Sequence, residues 1–284
     1  MKSDLLMSAL GNLGNTMLGD AMLIPATDTG RYSVLISTDP ADIEAAQRLR
    51  YLTFAEEMGA ALPQAIRGPL TGQMIDVDQF DPHSEHLLAR DETSGQIVGC
   101  YRLLPPEGAR AAGGIFADTI FDIGGLNELR PSLVELGRAS VHPEHRNGAV
   151  MGLLWAGILR YQELTGYEWG AGCLSVRMEA GEFRGALVRR VLDVAFGAHA
   201  APPQYRVVPR NPVRVNGLSL TELPDPGRIR IPPMVQGSLW IGGVICGEPS
   251  YDPDFDMADF VVLINRTMVR EGYLGRLTRA YVTS

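Results

Sequence analysis

Glycine and proline set the first limit on this fold. The chain carries 32 glycines and 19 prolines among 284 residues, and both interrupt helices, glycine through backbone entropy and proline through its missing N–H. Long unbroken helices are excluded, and many turns or long irregular loops are required. The punctuation is dense at 59–82, 105–127 and 201–250, so ordered runs between those stretches are short. With 45% hydrophobic residues the chain still has the means for a full core, because a chain of this size hides roughly 75% of its unfolded surface.

The runs between the breaks have clear periods. Tyr32 to Ser37 reads as a strand, and Asp39 and Pro40 then supply an N-cap and a first-turn proline for a helix to about Met58. His86 to Ala89 and Gln96 to Leu104 read as a hairpin around the turn at 91–95. After a glycine-rich connection at 107–127 come a strand, Leu133 to Val141, and a helix, Val150 to Leu164. A strand from Trp169 to Val176, an amphipathic helix from Glu182 to Phe196 and a strand from Tyr205 to Val208 follow. Two more strands are expected, near Ile241 to Cys246 and Phe260 to Asn265. This order gives a mixed α/β layout around one sheet, without the regular alternation of a doubly wound fold. Residues 1–30 read as an arm, mobile or interfacial, ahead of one domain over 31–284 with Pro/Gly-rich C-terminal insertions.

Charge and motif content exclude several functions. A net charge of -8 argues against generic nucleic-acid binding, and any anionic partner needs a local basic patch. Cys100, Cys173 and Cys246 lie far apart with no CxxC, which fits a reducing compartment and buried thiols. No run reaches the roughly 18 apolar residues of a membrane span. Neither GxGxxG nor GxxxxGK[ST] occurs, so those nucleotide loops have no support. The pairs His83/His86 and His142/His145 sit on loops or strand ends, away from helical metal spacing, and no metal site is expected.

Four polar clusters remain. They are Arg50, Phe54 and Glu57 on the first helix, the loop 76–81 with Asp78 and Asp81, Arg102 on the hairpin, and Glu135 with Arg138 on the central strand. Charges within otherwise apolar strands are costly unless paired. These residues form either a catalytic polar set or a structural network of buried ion pairs. Strict alternation puts Arg138 on the face opposite Glu135 unless a bulge intervenes. The turn Arg146, Asn147, Gly148, Ala149 precedes a helix, where backbone N–H groups can hold a phosphate.

Strand, loop and helix in this order resemble the Gcn5-related N-acyltransferase (GNAT) fold, and 146–151 matches the first half of its pyrophosphate loop. LRYLTFAEEMG (49–59), DVDQFD (76–81), HLLARD (86–91), IVGCYRLLP (97–105) and ELGRASVHPEHR (135–146) resemble the long-chain branch of that superfamily. That branch holds the acyl-homoserine-lactone synthases and the ornithine and amino-acid N-acyltransferases. The tail 231–264 is similar to the ornithine-lipid members. Departures are Ala139 and Ser140 after the arginine and the Pro-rich insert at 201–233.

The resemblance implies a mostly antiparallel central sheet flanked by helices. It also implies transfer of a long fatty acyl group from acyl carrier protein, or from acyl-CoA, to the amine of an amino acid such as ornithine. In that reading Glu135 is the general base and Arg138 acts beside it, while Arg50, Phe54, Asp78, Asp81 and Arg102 bind the acceptor. Arg146, Asn147, Gly148 and Ala149 hold the phosphopantetheine phosphate, with Tyr161 and Tyr167 as candidates for the leaving-group acid. Arg184, Arg189 and Arg190 form the patch that docks the acidic carrier protein, in competition with a plain solvated helix face. No cofactor is permanently bound, the acyl-phosphopantetheine thioester being a co-substrate. The expected location is the cytoplasm, with peripheral contact at the inner membrane face. The alternatives are a lactone synthase using S-adenosylmethionine and a non-catalytic acyl-binding protein of the same fold.

Overall fold

The computed structural model describes residues 18–26 and 30–269. A nine-stranded sheet organises them. Its strands are β1 (Ala21–Ile24), β2 (Tyr32–Ser37), β3 (Glu85–Asp91), β4 (Gln96–Leu104), β5 (Leu133–Val141), β6 (Trp169–Arg177), β7 (Val244–Ile245), β8 (Ser250–Asp252) and β9 (Met257–Asn265). The order across the sheet is β1-β2-β3-β4-β5-β6-β9-β7, with β8 beside β7 on the outer edge of β9. Every pairing is antiparallel except β5 with β6. The mixed, mostly antiparallel sheet is therefore present. Part of the expected arm belongs to it, since β1 pairs with β2; residues 1–17 lie outside the described residues.

Helices cover both faces. On one lie α1 (Pro40–Tyr51), α2 (Pro106–Ala111) and α3 (Phe116–Ile120), whose Ala46, Leu49, Ala109, Ile115 and Ala117 side meets Cys100, Leu104 and Leu133. On the other lie α4 (Ala149–Thr165), α5 (Ala186–Ala198) and α6 (Pro233–Trp240), packed on Leu87, Tyr101 and Val134. No helix among the described residues is long and apolar enough to cross a membrane. Cys100, Cys173 and Cys246 are free thiols.

Five local expectations change. The connection at 107–127 is largely helical: α2 starts at Pro106, whose fixed φ suits a first turn, and α3 and a 3-10 stretch, Gly124–Ser132, follow. The first helix ends its α geometry at Tyr51 and continues as a π-turn, Leu52–Glu57. The helix expected from Glu182 begins at Ala186, because Gly185 takes a left-handed φ of 83° just before it. Tyr205–Val208 is a 3-10 turn and then a two-residue strand, Val208–Pro209, paired with Phe121–Asp122. The strand expected at Ile241–Cys246 shrinks to β7, since Pro232 and Pro233 launch α6 ahead of it.

One close contact sets the distance of α4 from the sheet. A Cβ added at Gly157 would lie 2.7 Å from Val34 Cγ1 and 3.2 Å from Leu87 Cδ1. Gly157→Val therefore overpacks this layer and lowers unfolding free energy by about 1–3 kcal/mol, to be read as a lower urea midpoint at unchanged slope.

Candidate active site

The site begins where one hydrogen-bond ladder stops. The parallel pairing of β5 with β6 runs only through Leu133↔Trp169, Val134↔Gly170 and Glu135↔Ala171, and past that point the strands part. A Cβ at Gly172 would come within 2.4 Å of Leu136 O, so only glycine permits the approach at the point of parting. On its other edge β5 carries a bulge: Arg102 pairs with Gly137 but Cys100 with Ser140, one residue too many on β5. Arg138 sits in it at φ 52°, a left-handed conformation costly for a residue with a Cβ. The bulge turns Arg138 to the face that Glu135 and Arg102 share.

A cavity of about 420 Å³ fills this opening. Its wall has two chemistries because it draws on both faces of the sheet. On the α1–α3 side it is polar, with Thr53, Arg102, Glu135, Arg138, Asp252 and Asp259. On the α4–α6 side it is apolar, with Leu136, Trp155, Ile158, Leu174, Val235 and Ile264.

Behind the polar half stands a network of three arginines and three aspartates. Arg50, 1% exposed, bonds Asp76 at 2.7 Å and both oxygens of Asp81 at 2.9 Å. Arg102 pairs with Asp78 and, at 3.2 Å, with Asp81. Arg138 reaches Asp78 at 3.2 Å and Asp76 at 3.5 Å, with its guanidinium over the Phe54 ring. Backbone N–H groups of Phe80 and Asp81 also donate to Asp78. Despite desolvation, the Arg102 and Arg138 guanidiniums hold the Asp78 carboxyl far below the usual carboxylate range, and Arg50 lowers that of Asp81. All of Arg102's bonds to this network leave from Nη1. Its Nη2 lies 3.6 Å from where a Cβ at Gly137 would stand, beside the cavity wall.

Glu135 is 3% exposed. Its two oxygens accept the N–H groups of Phe116 (2.8 Å) and Ala117 (3.0 Å) at the start of α3. Burial nevertheless raises its pKa above the ordinary carboxylate value. Each oxygen retains a lone pair for a further proton donor.

The expected residues thus fall into groups. Phe54, Arg102, Glu135 and Arg138 reach the cavity wall. Arg50, Asp78 and Asp81 are packed behind it in the ion-pair network, where the two aspartates hold the arginines that face the cavity and Arg50 holds Asp76 and Asp81. Arg146 gives both terminal nitrogens to Glu57 and its Nε to Val141 O. Asn147 Oδ1 accepts from Ala149 N, and Gly148 takes φ 93° as the N-cap of α4; this turn lies away from the cavity lining. Arg184 is bound by Glu179 and Asp256, and Arg189 by Asp193 and the carbonyls of Leu220 and Leu223. Arg190 has a buried Nε with no hydrogen-bond partner. The three do not form an open basic stripe, because two are neutralised locally.

Tyr161 and Tyr167 are buried, donating to Glu85 and Glu107, and neither lines the cavity. Tyr101 does, accepting from Trp155 Nε1 and pushed up to about 12 by burial. Sequence reasoning passed over Tyr101, Thr53, Ser175, Gln162 and Asp259. Their only signal is a polar or phenolic group inside an apolar run, which gains meaning once strand pairing is known. Cys173 also lines the cavity, but burial raises its thiol well above its ordinary pKa, which leaves it neutral and a poor nucleophile.

Splayed parallel strands, a bulged central strand and a cleft with a polar and an apolar half define an acyltransferase of the GNAT type. Residues 49–156 match the family described as an acetyltransferase (GNAT) domain. The L-ornithine N(alpha)-acyltransferase of Brucella abortus is 30% identical over 277 residues, covering 90% of this chain and 91% of that one. The L-ornithine N(alpha)-acyltransferase of Rhodobacter capsulatus is 29% identical over 260 residues, covering 87% and 95%. Among solved structures, a CoA-dependent acyl-homoserine lactone synthase aligns with a TM-score of 0.47 at 15% identity, covering 93% and 89%. The chain belongs to the family of the L-ornithine N(alpha)-acyltransferases. It is an enzyme, an acyltransferase with an acyl thioester as co-substrate.

Two stability predictions follow from the network. Arg50→Met removes the closest cation from two buried carboxylates, leaving each only a longer contact, and costs about 3–5 kcal/mol, measurable by denaturant unfolding. The depressed pKa values of Asp78 and Asp81 mean that their contribution is complete above the unfolded value of about 4 and is lost as pH falls through their folded values. The thermal midpoint therefore drops on acidification below about pH 4, and less steeply in Asp78→Asn, which has one fewer such group.

Proposed function

We propose that the protein transfers a long-chain fatty acyl group from the phosphopantetheine of acyl carrier protein to the α-amine of L-ornithine. The observation that carries this is the cavity's division by the sheet. An acyl tail suits the apolar half between Leu136, Trp155, Ile158 and Ile264, and a zwitterionic acceptor suits the arginines and carboxylates of the other half. The two meet where β5 and β6 part, beside unpaired strand backbone that can polarise a thioester carbonyl.

The chemistry then needs few groups. Arg102 and Arg138, held from behind by aspartates, fix the acceptor carboxylate. Glu135, with its raised pKa, takes a proton from the acceptor ammonium, directly or through a water. The freed amine attacks the thioester carbonyl, the C–S bond breaks, the leaving thiolate takes a proton from a lining side chain, and the second proton shed by the nitrogen as the amide forms returns to that side chain through water. Tyr101 is the tyrosine among the lining residues and is assigned that donation in place of Tyr161 and Tyr167. The turn at 146–149 serves the single phosphate of phosphopantetheine. Its one arginine is already bound by Glu57, which favours a carrier-protein donor over the three phosphates of CoA. A fatty product belongs in a lipid layer, which supports work in the cytoplasm beside the inner membrane face as part of this reading.

The test is transfer itself: purified enzyme, acyl carrier thioester or acyl-CoA, and a panel of amino acids, with thiol release and acyl amide followed together. No acyl amide from any amine overturns the proposal, and release of methylthioadenosine on adding S-adenosylmethionine identifies a lactone synthase instead. Glu135→Gln is expected to lower kcat by about 10²–10⁴-fold while acceptor KM changes little; unchanged turnover removes Glu135 from the base role.

A further inference from the structure

The strongest feature that the reaction has not absorbed is a carboxylate on β9. Asp259 lies mid-strand between Ala258 and Phe260, is 3% exposed, and lines the polar half of the cavity. Its Oδ1 accepts a hydrogen bond from Ser175, its partner across the β6–β9 pairing. No hydrogen bond from a described residue reaches Oδ2. No cation among the described residues lies at ion-pair distance, because Arg138 is taken by Asp76 and Asp78, and Arg184 by Glu179 and Asp256. A buried charge with no counterion is a standing cost.

Its surroundings add to the demand for a cation. Ser250 pairs with Asp259 and Asp252 with Met257, so Asp252 sits one step along on the same face and also lines the cavity. Thr53, 8% exposed, lines the cavity too, and its hydroxyl has no hydrogen-bond partner. Two carboxylates and two hydroxyls thus share one polar wall, offering acceptors to a multivalent donor. The same wall holds Arg102 and Arg138 on β4 and β5, across the parting of the strands. A ligand that satisfies both ends carries a carboxylate at one end and an ammonium at the other.

We propose that Asp259, with Ser175 and Asp252, is the subsite for the second ammonium group of a diamino-acid acceptor, and so selects a basic amino acid over a neutral one. This rests on the acceptor reading given above, where the relatives' substrate, L-ornithine, carries such a group at the end of its side chain. Burial, with the nearby Asp252, pushes the Asp259 carboxyl up to about 6, and an ammonium arriving between them favours its charged form. Asp259 is a specificity residue here, separate from the proton transfer at Glu135.

The experiment compares L-ornithine with L-norvaline, which has the same carbon chain without the terminal amine, as acceptors for the wild type and Asp259→Asn. Wild type is expected to prefer ornithine. In the variant the ratio of kcat/KM for ornithine to norvaline falls about a hundredfold, while the norvaline value stays within about threefold of wild type. Equal losses for both acceptors, or no change for either, overturn the subsite while leaving the transferase reading intact. If wild type acylates neither acceptor nor any other amine, the transferase reading falls and the subsite with it. Ser175→Ala keeps the carboxylate and removes its hydroxyl partner, so it carries the test should Asp259→Asn fail to fold. It lowers the same ratio by a smaller factor, and an unchanged ratio counts against the proposal.

Discussion

The structure depends on a hydrogen-bond ladder that ends early. β5 and β6 are the parallel pair of the sheet, and their pairing stops at Glu135 and Ala171. Had it continued, the sheet would be sealed and its two faces would be separate worlds. The bulge at Arg138 and the glycine at 172 share the task of parting the strands without breaking the sheet. Antiparallel pairing on either side, β4 with β5 and β6 with β9, holds each strand in register up to the opening and past it.

Charge is arranged around that opening in a balanced way. Arg50, Arg102 and Arg138 face Asp76, Asp78 and Asp81, and the innermost pair members see almost no solvent. Such networks seldom add net stability compared with apolar packing, but each member is expensive to lose alone. Their contribution here is aim. Aspartates on a loop hold two guanidiniums on strands, and the guanidiniums point onward into the cavity. The π-turn at Leu52–Glu57 widens the helix after Arg50, so that Arg50 serves the network while Thr53 and Phe54 reach the cavity.

Much of this was legible in the residues. The existence of the central strands, the helices after Asp39 and Gly148, and the polar set from Arg50 to Arg138 all follow from local period, capping and ordered motifs. Three things were not. Whether Arg50 touches ligand or a buried aspartate depends on how α1 lies on β4, a long-range packing outcome that no local pattern encodes. The basic run near 184–190 read as a patch because sequence shows the arginines and hides Asp256 and the 220–223 carbonyls that fold back onto them. Asp259 stands one residue ahead of the strand expected from Phe260, and its isolation emerges only when β6 and β8 close on both sides. The bulge is intermediate: the residues of β5 pose the question of which way Arg138 points, and only the pairing with β4 answers it.

A sheet with a slot through it gives each substrate its own side. In the proposed reading the tail and the acceptor take opposite faces of the sheet and meet at the slot. The thiol beside the slot, Cys173, is held neutral by burial, which makes it a poor resting place for the acyl group between donor and acceptor. In the proposed direct transfer both molecules are present together when the bond changes hands. The rate should depend on the two concentrations as converging lines in a double-reciprocal plot, not as the parallel lines of a covalent relay.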